Sequence, residues 1–187
     1  PQDAQGGVDP VNSLLAPSAQ HWFGTDQVGR DVYTRVVFGA RTSLLIVFSV
    51  LFLSVIIGVT LGVIAGYAGG WVRDVVMRVT DVFLAFPALL LSLALCIVLQ
   101  PDLKTAILAI TVTWWPWYTR LAAGVAASIS GRPYMDAVRA LGVSPARAVF
   151  RHVLPNSLTP VIVQLSLDAG GIILTAAALS FLGLGAQ

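Results

Sequence analysis

The sequence predicts an all-α fold, a polytopic transmembrane helical bundle, on three observations. Of its 187 residues 57% are hydrophobic and only 11% charged, with a mean hydropathy of +0.84, which is a membrane-protein composition. Charges are absent from residues 42–72, 82–101 and 105–119, and residues 157–187 hold only Asp168; since a span takes about 20 apolar residues, these runs hold about four of them. Gly58, Gly62, Gly66 and Gly70 recur at four-residue spacing, a strip that on a helix lets another backbone approach closely where lipid supplies no hydrophobic drive.

Residues 1–42 are the one extended polar segment, with Pro1, Pro10, Pro17, four aspartates, Arg30 and Arg35, and read as an irregular aqueous stretch leading into the membrane. The chain starts without an initiator methionine or a signal-peptide pattern and reads as a piece of something longer. The transmembrane part, 43–187, opens with a span at 43–66. A short linker to residue 81 follows, in which Arg78 and Asp81, three apart, are expected to pair. The second span is 82–100, with Pro87 near its start where a helix tolerates it. QPDLK at 100–104 is a tight turn that returns the chain antiparallel. The third span, 105–127, carries Trp114, Trp115, Trp117 and Tyr118 around Pro116; these rings either sit at the bilayer interface or pack, or line a pathway at a proline kink, with Trp114 and Trp117 the candidates. The last span is 157–181. Cys96, alone in an apolar run, offers neither a disulfide framework nor a metal cluster.

Basic residues orient the chain. Arg73, Arg78, Arg120, Arg132, Arg139, Arg147 and Arg151 fall on one side, against Arg30, Arg35, Arg41 and Lys104 on the other. The positive-inside rule makes the first side cytoplasmic. The net charge of +2 and pI near 9.1 therefore speak of orientation rather than of nucleic acid.

The cytoplasmic loop, 128–156, holds YMDAVRALGVSPARAVFRHVLP from Tyr134 to Pro155, which reads as two short helices. Pro133 suits a first helical turn, Asp136 complements the helix dipole and Gly142 stops the helix. Ser144 and Pro145 restart the chain as N-cap and first helical residue, and Pro155 limits the second helix. Tyr134, Ala137, Val138 and Leu141 form one apolar face, Ala146, Val149, Phe150 and Val153 another. Arg147 and Arg151, four apart, make a cationic stripe. Such helices lie on lipid or dock in a protein groove; spacing alone leaves both open.

Asp168 falls about 16 Å along the last span, near the bilayer centre. A carboxylate at that depth must face water or find a partner. Three readings stand: Asp168 lines a translocation path, it hydrogen-bonds a facing helix, or a kink in the span brings it to the surface.

The loop resembles the EAA loop of the membrane-spanning subunits of bacterial ABC importers, Glu-Ala-Ala followed after a spacer by Gly and later by Ile/Val-Leu-Pro. Asp136, Ala137 and Val138 stand at the opening positions, Gly142 at the glycine, and Val153, Leu154 and Pro155 at the end. HWFGTDQVGRDVYTRVVFGARTSL, GYAGGW, MRVTDVFLAFP and LSFLGLGAQ resemble, in the same order, the "C"-type permeases for dipeptides, oligopeptides or nickel. That resemblance implies the central four spans of a six-span type I permease in the inner membrane of a bacterium. It implies a translocation path shared with a homologous second permease subunit as a heterodimer. Tyr134, Asp136, Ala137, Val138, Leu141, Gly142, Arg147, Phe150, Arg151, Leu154 and Pro155 would dock into a cleft of a cytoplasmic ATPase subunit, two such ATPases, which bind ATP and Mg²⁺, would drive the transporter, and an extracytoplasmic solute-binding protein would deliver the solute. Di- and oligopeptides are the implied cargo, with nickel or glutathione-like solutes as alternatives.

Catalysis by this chain is not expected. The only lysine, Lys104, belongs to no Gly-rich phosphate loop, so no cofactor is assigned and ATP hydrolysis falls to partner chains. There is no G-x-S-x-G, and His21 and His152 are expected on opposite sides of the membrane. No catalytic or metal-ligating residue is assigned. A structural or assembly subunit that binds partners and moves nothing is the alternative from another class; gating of a partner's ATP hydrolysis by solute discriminates the two.

Overall fold

The computed structural model describes residues 7–100 and 102–184. Pro101 of the QPDLK turn, the Pro1 terminus and the last residues of LGLGAQ lie outside them. The chain divides into two compact units, residues 1–45 and 46–187.

The first unit is less irregular than its composition predicts. A 3-10 turn at Pro10–Asn12 precedes a loop closed by a bridge between Thr25 and Asp31. The Asp26 carboxylate accepts the Val28 and Arg30 amides, each at 2.9 Å, and the Arg35 guanidinium at 2.5 Å. The bond from the Arg30 amide is the main reason its carboxyl titrates below the usual range. Asp31 accepts the Thr34 hydroxyl at 2.6 Å and amide at 2.8 Å, which caps the first helix and lowers its pKa, with the hydroxyl as the leading cause. That helix, α1 (Val32–Ala68), begins some ten residues before the expected span and is 37 residues long, about 56 Å.

In the second unit α2 (Gly70–Leu84), α3 (Ala88–Leu99), α4 (Leu103–Ser130) and α7 (Leu154–Phe181) follow, with α5 (Pro133–Ala140) and α6 (Pro145–Ala148) between the last two. Length and hydropathy make spans of α1 and of the continuous helix 145–181, and of α2 with α3 if that bent pair is one crossing. At 28 residues, α4 is long enough to span as well, at about 42 Å. Its Thr- and Trp-rich surface suits a helix covered by neighbours: buried residues recur from Thr105 to Ser130. Around it lie α2, α3 and α7.

Four local expectations are corrected. Residues 70–84 form a helix rather than a linker. The helix then ends before Phe86, because a residue preceding proline is driven out of the α region, and α3 leaves at 82° to α2. The expected straight span 82–100 is therefore a 12-residue helix, about 18 Å. Asp81 pairs not with Arg78 but with Arg120, across from α2 to α4. Pro155 does not end the second helix of the loop: the chain widens to a π turn at Val149–Val153, where the Leu154 amide donates to the Val149 carbonyl, and runs on into α7. The π turn makes room for a proline that has no N–H to give. The side chains of Asn156 and Ser157 donate back to the His152 and Val153 carbonyls at 2.7 and 2.8 Å.

The glycine strip is a seam between α1 and α4. A Cβ on Gly58 would fall 2.6 Å from the Trp115 carbonyl oxygen and from Tyr118 Cβ; on Gly62 it would fall 2.8 Å, and on Gly66 2.7 Å, from Ala122 and Ala126 Cβ. The partner strip, Tyr118, Ala122 and Ala126, has the same period, so the backbones interlock over two turns. Gly70 is not part of it. It starts α2 at φ +48° with open space around it.

Candidate functional site

The segment from α5 to the π turn has two faces. Met135, Ala148 and Val153 are fully buried, and with Val138 they join an apolar cluster that reaches through Ile129, Ala126 and Ala122 to Tyr118. Leu141 and Phe150 point away, 83% and 70% exposed, with Tyr134 at 40%; Ala137 and Ala146 are exposed too. The apolar faces read from spacing are thus mostly outward, Val138, Val149 and Val153 excepted. The residue that anchors α5, Met135, was not singled out; it lies one position from Tyr134 and packs inward, in one apolar cluster with Ile129 of α4 and Val161 of α7.

Gly142 stops α5 as expected. At φ +72° it lets its amide donate to the Arg139 carbonyl at 3.0 Å and the Val143 amide reach the Val138 carbonyl at 3.4 Å, the Schellman closure of a helix end. Asp136 sits in the first turn of α5 and pairs with Arg139 at 2.9 Å. Ser144 has the extended backbone of an N-cap, but its hydroxyl makes no capping bond. Arg147, Arg151 and Pro155 are exposed and Leu154 half-buried. An apolar cleft of about 320 Å³ lies between this segment and α1, lined by Val63, Ile64, Tyr67, Ala146, Val149 and Phe150 among others.

Of the three residues considered for a path, two come together. Asp168 on α7 is buried, 9% exposed, and both of its oxygens accept hydrogen bonds: Oδ2 from the Tyr118 hydroxyl at 2.7 Å and Oδ1 from Gln164 Nε2 at 2.8 Å. In this conformation Asp168 is buried and bonds to the facing helix, the second of the three sequence readings. One turn away on α4, Trp114 presses its ring against Gly171, where a Cβ would come within 2.9 Å, and its buried indole N–H has no hydrogen-bond partner among the described residues. Trp117 faces outward, 53% exposed. Nothing in the sequence connected Tyr118 to Asp168, 50 residues away; a buried carboxylate's need for a donor was the only signal.

The model of the family described as "Binding-protein-dependent transport system inner membrane component" matches residues 58–187. The chain belongs to this family. The match takes in the glycine seam, the α5–α6 segment and the α4–α7 contact. Among similar proteins, the "Dipeptide transport system permease protein DppC" of Alkalihalophilus pseudofirmus is 47% identical over 96% of this chain and 59% of its own length. The "Probable D,D-dipeptide transport system permease protein DdpC" of Escherichia coli is 44% identical over 96% of this chain and 60% of its length. The "Glutathione transport system permease protein GsiD" of Pectobacterium atrosepticum is 38% identical over 100% of this chain and 62% of its length. The chain thus spans about three-fifths of these transport-system inner membrane components.

Proposed function

We propose that this chain is the core of a permease subunit of an ATP-driven importer, and that its cytoplasmic segment docks on ATPase partners. The observation that carries the reading is the two-faced segment: Met135, Ala148 and Val153 are locked into the bundle while Leu141 and Phe150 stand exposed, a side chain arrangement that fits a partner's groove. On this reading residues 128–156 are cytoplasmic, the N-terminal polar segment is extracytoplasmic, and ATP and Mg²⁺ are bound by two partner ATPases rather than by this chain. A homologous second permease completes the path, and a solute-binding protein supplies its cargo. Peptides are the proposed cargo, supported by the dipeptide permeases among the relatives; glutathione, itself a peptide, is the second reading, favoured by the glutathione permease. Asp168 and Trp114 line the path once α4 and α7 part, beside the outward Trp117.

The test is co-purification from the full-length subunit expressed with its partners. Leu141→Asp with Phe150→Asp leaves membrane insertion intact, because neither side chain is buried, and strips the ATPases from the complex. Retention of the ATPases by that variant refutes docking through this face. ATP hydrolysis by the wild-type complex that does not respond to any added peptide and its binding protein would instead favour a non-transporting assembly subunit.

A further inference from the structure

Arg139 was not among the residues expected to couple, yet its guanidinium joins three elements. Nη1 donates to Asp136 Oδ1 on the same helix at 2.9 Å, Nη2 donates to the Ser130 carbonyl at 3.1 Å, and Cζ stands 5.9 Å from the centre of the Tyr67 ring. Ser130 is the last residue of α4 and Tyr67 the last but one of α1. A carbonyl in the final turn has no partner within its own helix, and a cation there also meets the negative end of the helix dipole. Only a planar fork donates in two directions while stacking on a ring, so lysine cannot replace it.

Every other tie between α5 and the bundle noted above is apolar: Met135 and Val138 in the shared cluster. Apolar contacts alone let a short helix slide or roll, whereas a hydrogen-bonded fork fixes one geometry. Its backbone is held as well, since the Arg139 carbonyl accepts the Gly142 amide. The two helix ends it grips belong to the pair that the glycine seam locks together from Gly58 to Gly66. Displacement of α5 therefore reaches α1 and α4 at one point and moves them as one body.

We infer that Arg139 is a positioning residue that transmits movement of α5 to the α1–α4 pair, rather than a contact to the ATPase. The inference rests on the docking reading above. Its test uses the full-length subunit assembled with its partners in liposomes, with solute imported per ATP hydrolysed as the readout. Arg139→Lys keeps the ATPases bound and hydrolysis near the wild-type rate, while solute imported per ATP falls about twofold to thirtyfold, the range by which single mutations change coupling. Tyr67→Leu lowers the same ratio, and the double variant falls no further than Arg139→Lys. An unchanged ratio in Arg139→Lys overturns the inference, and so does loss of the ATPases from that variant, which would make Arg139 a docking contact. Arg139→Gln, which keeps a donor for Ser130 but cannot stack as a cation, is read the same way if the lysine variant fails to accumulate. Leu141→Asp run in parallel separates the two readings: if it retains the ATPases, docking fails; if it loses them while Arg139→Lys matches wild type, only the assignment of Arg139 fails.

Discussion

The two sides of α4 are built on opposite chemistry. Toward α1 it presents Tyr118 Cβ, Ala122 and Ala126 to a line of glycines, so backbone meets backbone with no polar atom needed. Toward α7 it offers a phenol to a buried carboxylate and an indole to a glycine. Van der Waals contact of the first kind falls away steeply with distance and has no alternative partner, which makes it a permanent joint. A hydrogen bond can be exchanged for one to water or to a ligand at little net cost, which makes the second a joint that can open. Tyr118 belongs to both, so any parting of α7 from α4 pivots on a residue that α1 holds still.

The seam is where the comparison breaks most severely. Gly62→Leu drives a side chain into the Thr119 carbonyl and Ala122; backbone cannot yield as a side chain does, and the cost exceeds the 1–3 kcal/mol or so typical of overpacking. The expected outcome is near-complete loss of the protein from the membrane fraction, measured by quantitative immunoblotting. Normal abundance would mean that the seam is not a fixed joint.

The polar side should respond in a graded way. Asp168→Ala leaves the Tyr118 hydroxyl and Gln164 amide without acceptors and should destabilise the purified subunit by about 1–3 kcal/mol, read as a lower midpoint of thermal unfolding in detergent. Asp168→Asn retains an acceptor and is expected to keep most of that stability and assembly while altering uptake of solutes with a free amino group relative to acetylated ones. Unchanged uptake and selectivity in the Asn variant would make Asp168 a packing residue and remove it from the path.

Gly142→Leu has a smaller thermodynamic effect. Its Cβ would meet nothing within 4 Å, so the cost is that of a left-handed backbone, about 1–2 kcal/mol, confined to the end of α5. Insertion and both sides of α4 should be unaffected while peptide uptake is lost; full uptake at normal abundance would argue against coupling through this loop. Acid gives the smallest effect. Asp102 caps α4, its Oδ1 accepting the Thr105 amide at 2.5 Å, and that bond above all holds its carboxyl below the usual range. A lowered folded-state pKa means stability that is present above the unfolded value, about 3.9, and is lost as pH falls through the folded one. Below about pH 4 the Thr105 amide should lose hydrogen-exchange protection while amides along the seam keep theirs.

How far this was legible in the sequence depended on whether a feature was local. The glycine strip declared itself because four-residue spacing has one geometric meaning on a helix, and Gly142 because only a left-handed residue closes that turn. Arg78 and Asp81 misled because spacing ranks neighbours in sequence, and Asp81 had a partner 39 residues away on α4. The face of α5 was ambiguous for a different reason: both of its sides carry apolar residues, one for the bundle and one left exposed, and periodicity does not say which is which. Tyr118 and Asp168 were each noticed, but what joins them is the crossing of α4 and α7, which no pattern within either helix encodes.

The π turn at Val149–Val153 sets the rotational phase of everything after it. A π turn holds one residue more than an α turn, so it shifts the azimuth of the following helix by about 100° without interrupting it. Asp168, Ile172, Ala176 and Leu179, buried on α7, owe their facing to that extra residue. Deleting one residue between Val149 and Val153 would leave α7 helical and equally apolar, yet turned about its own axis so that the carboxylate swung away from the phenol.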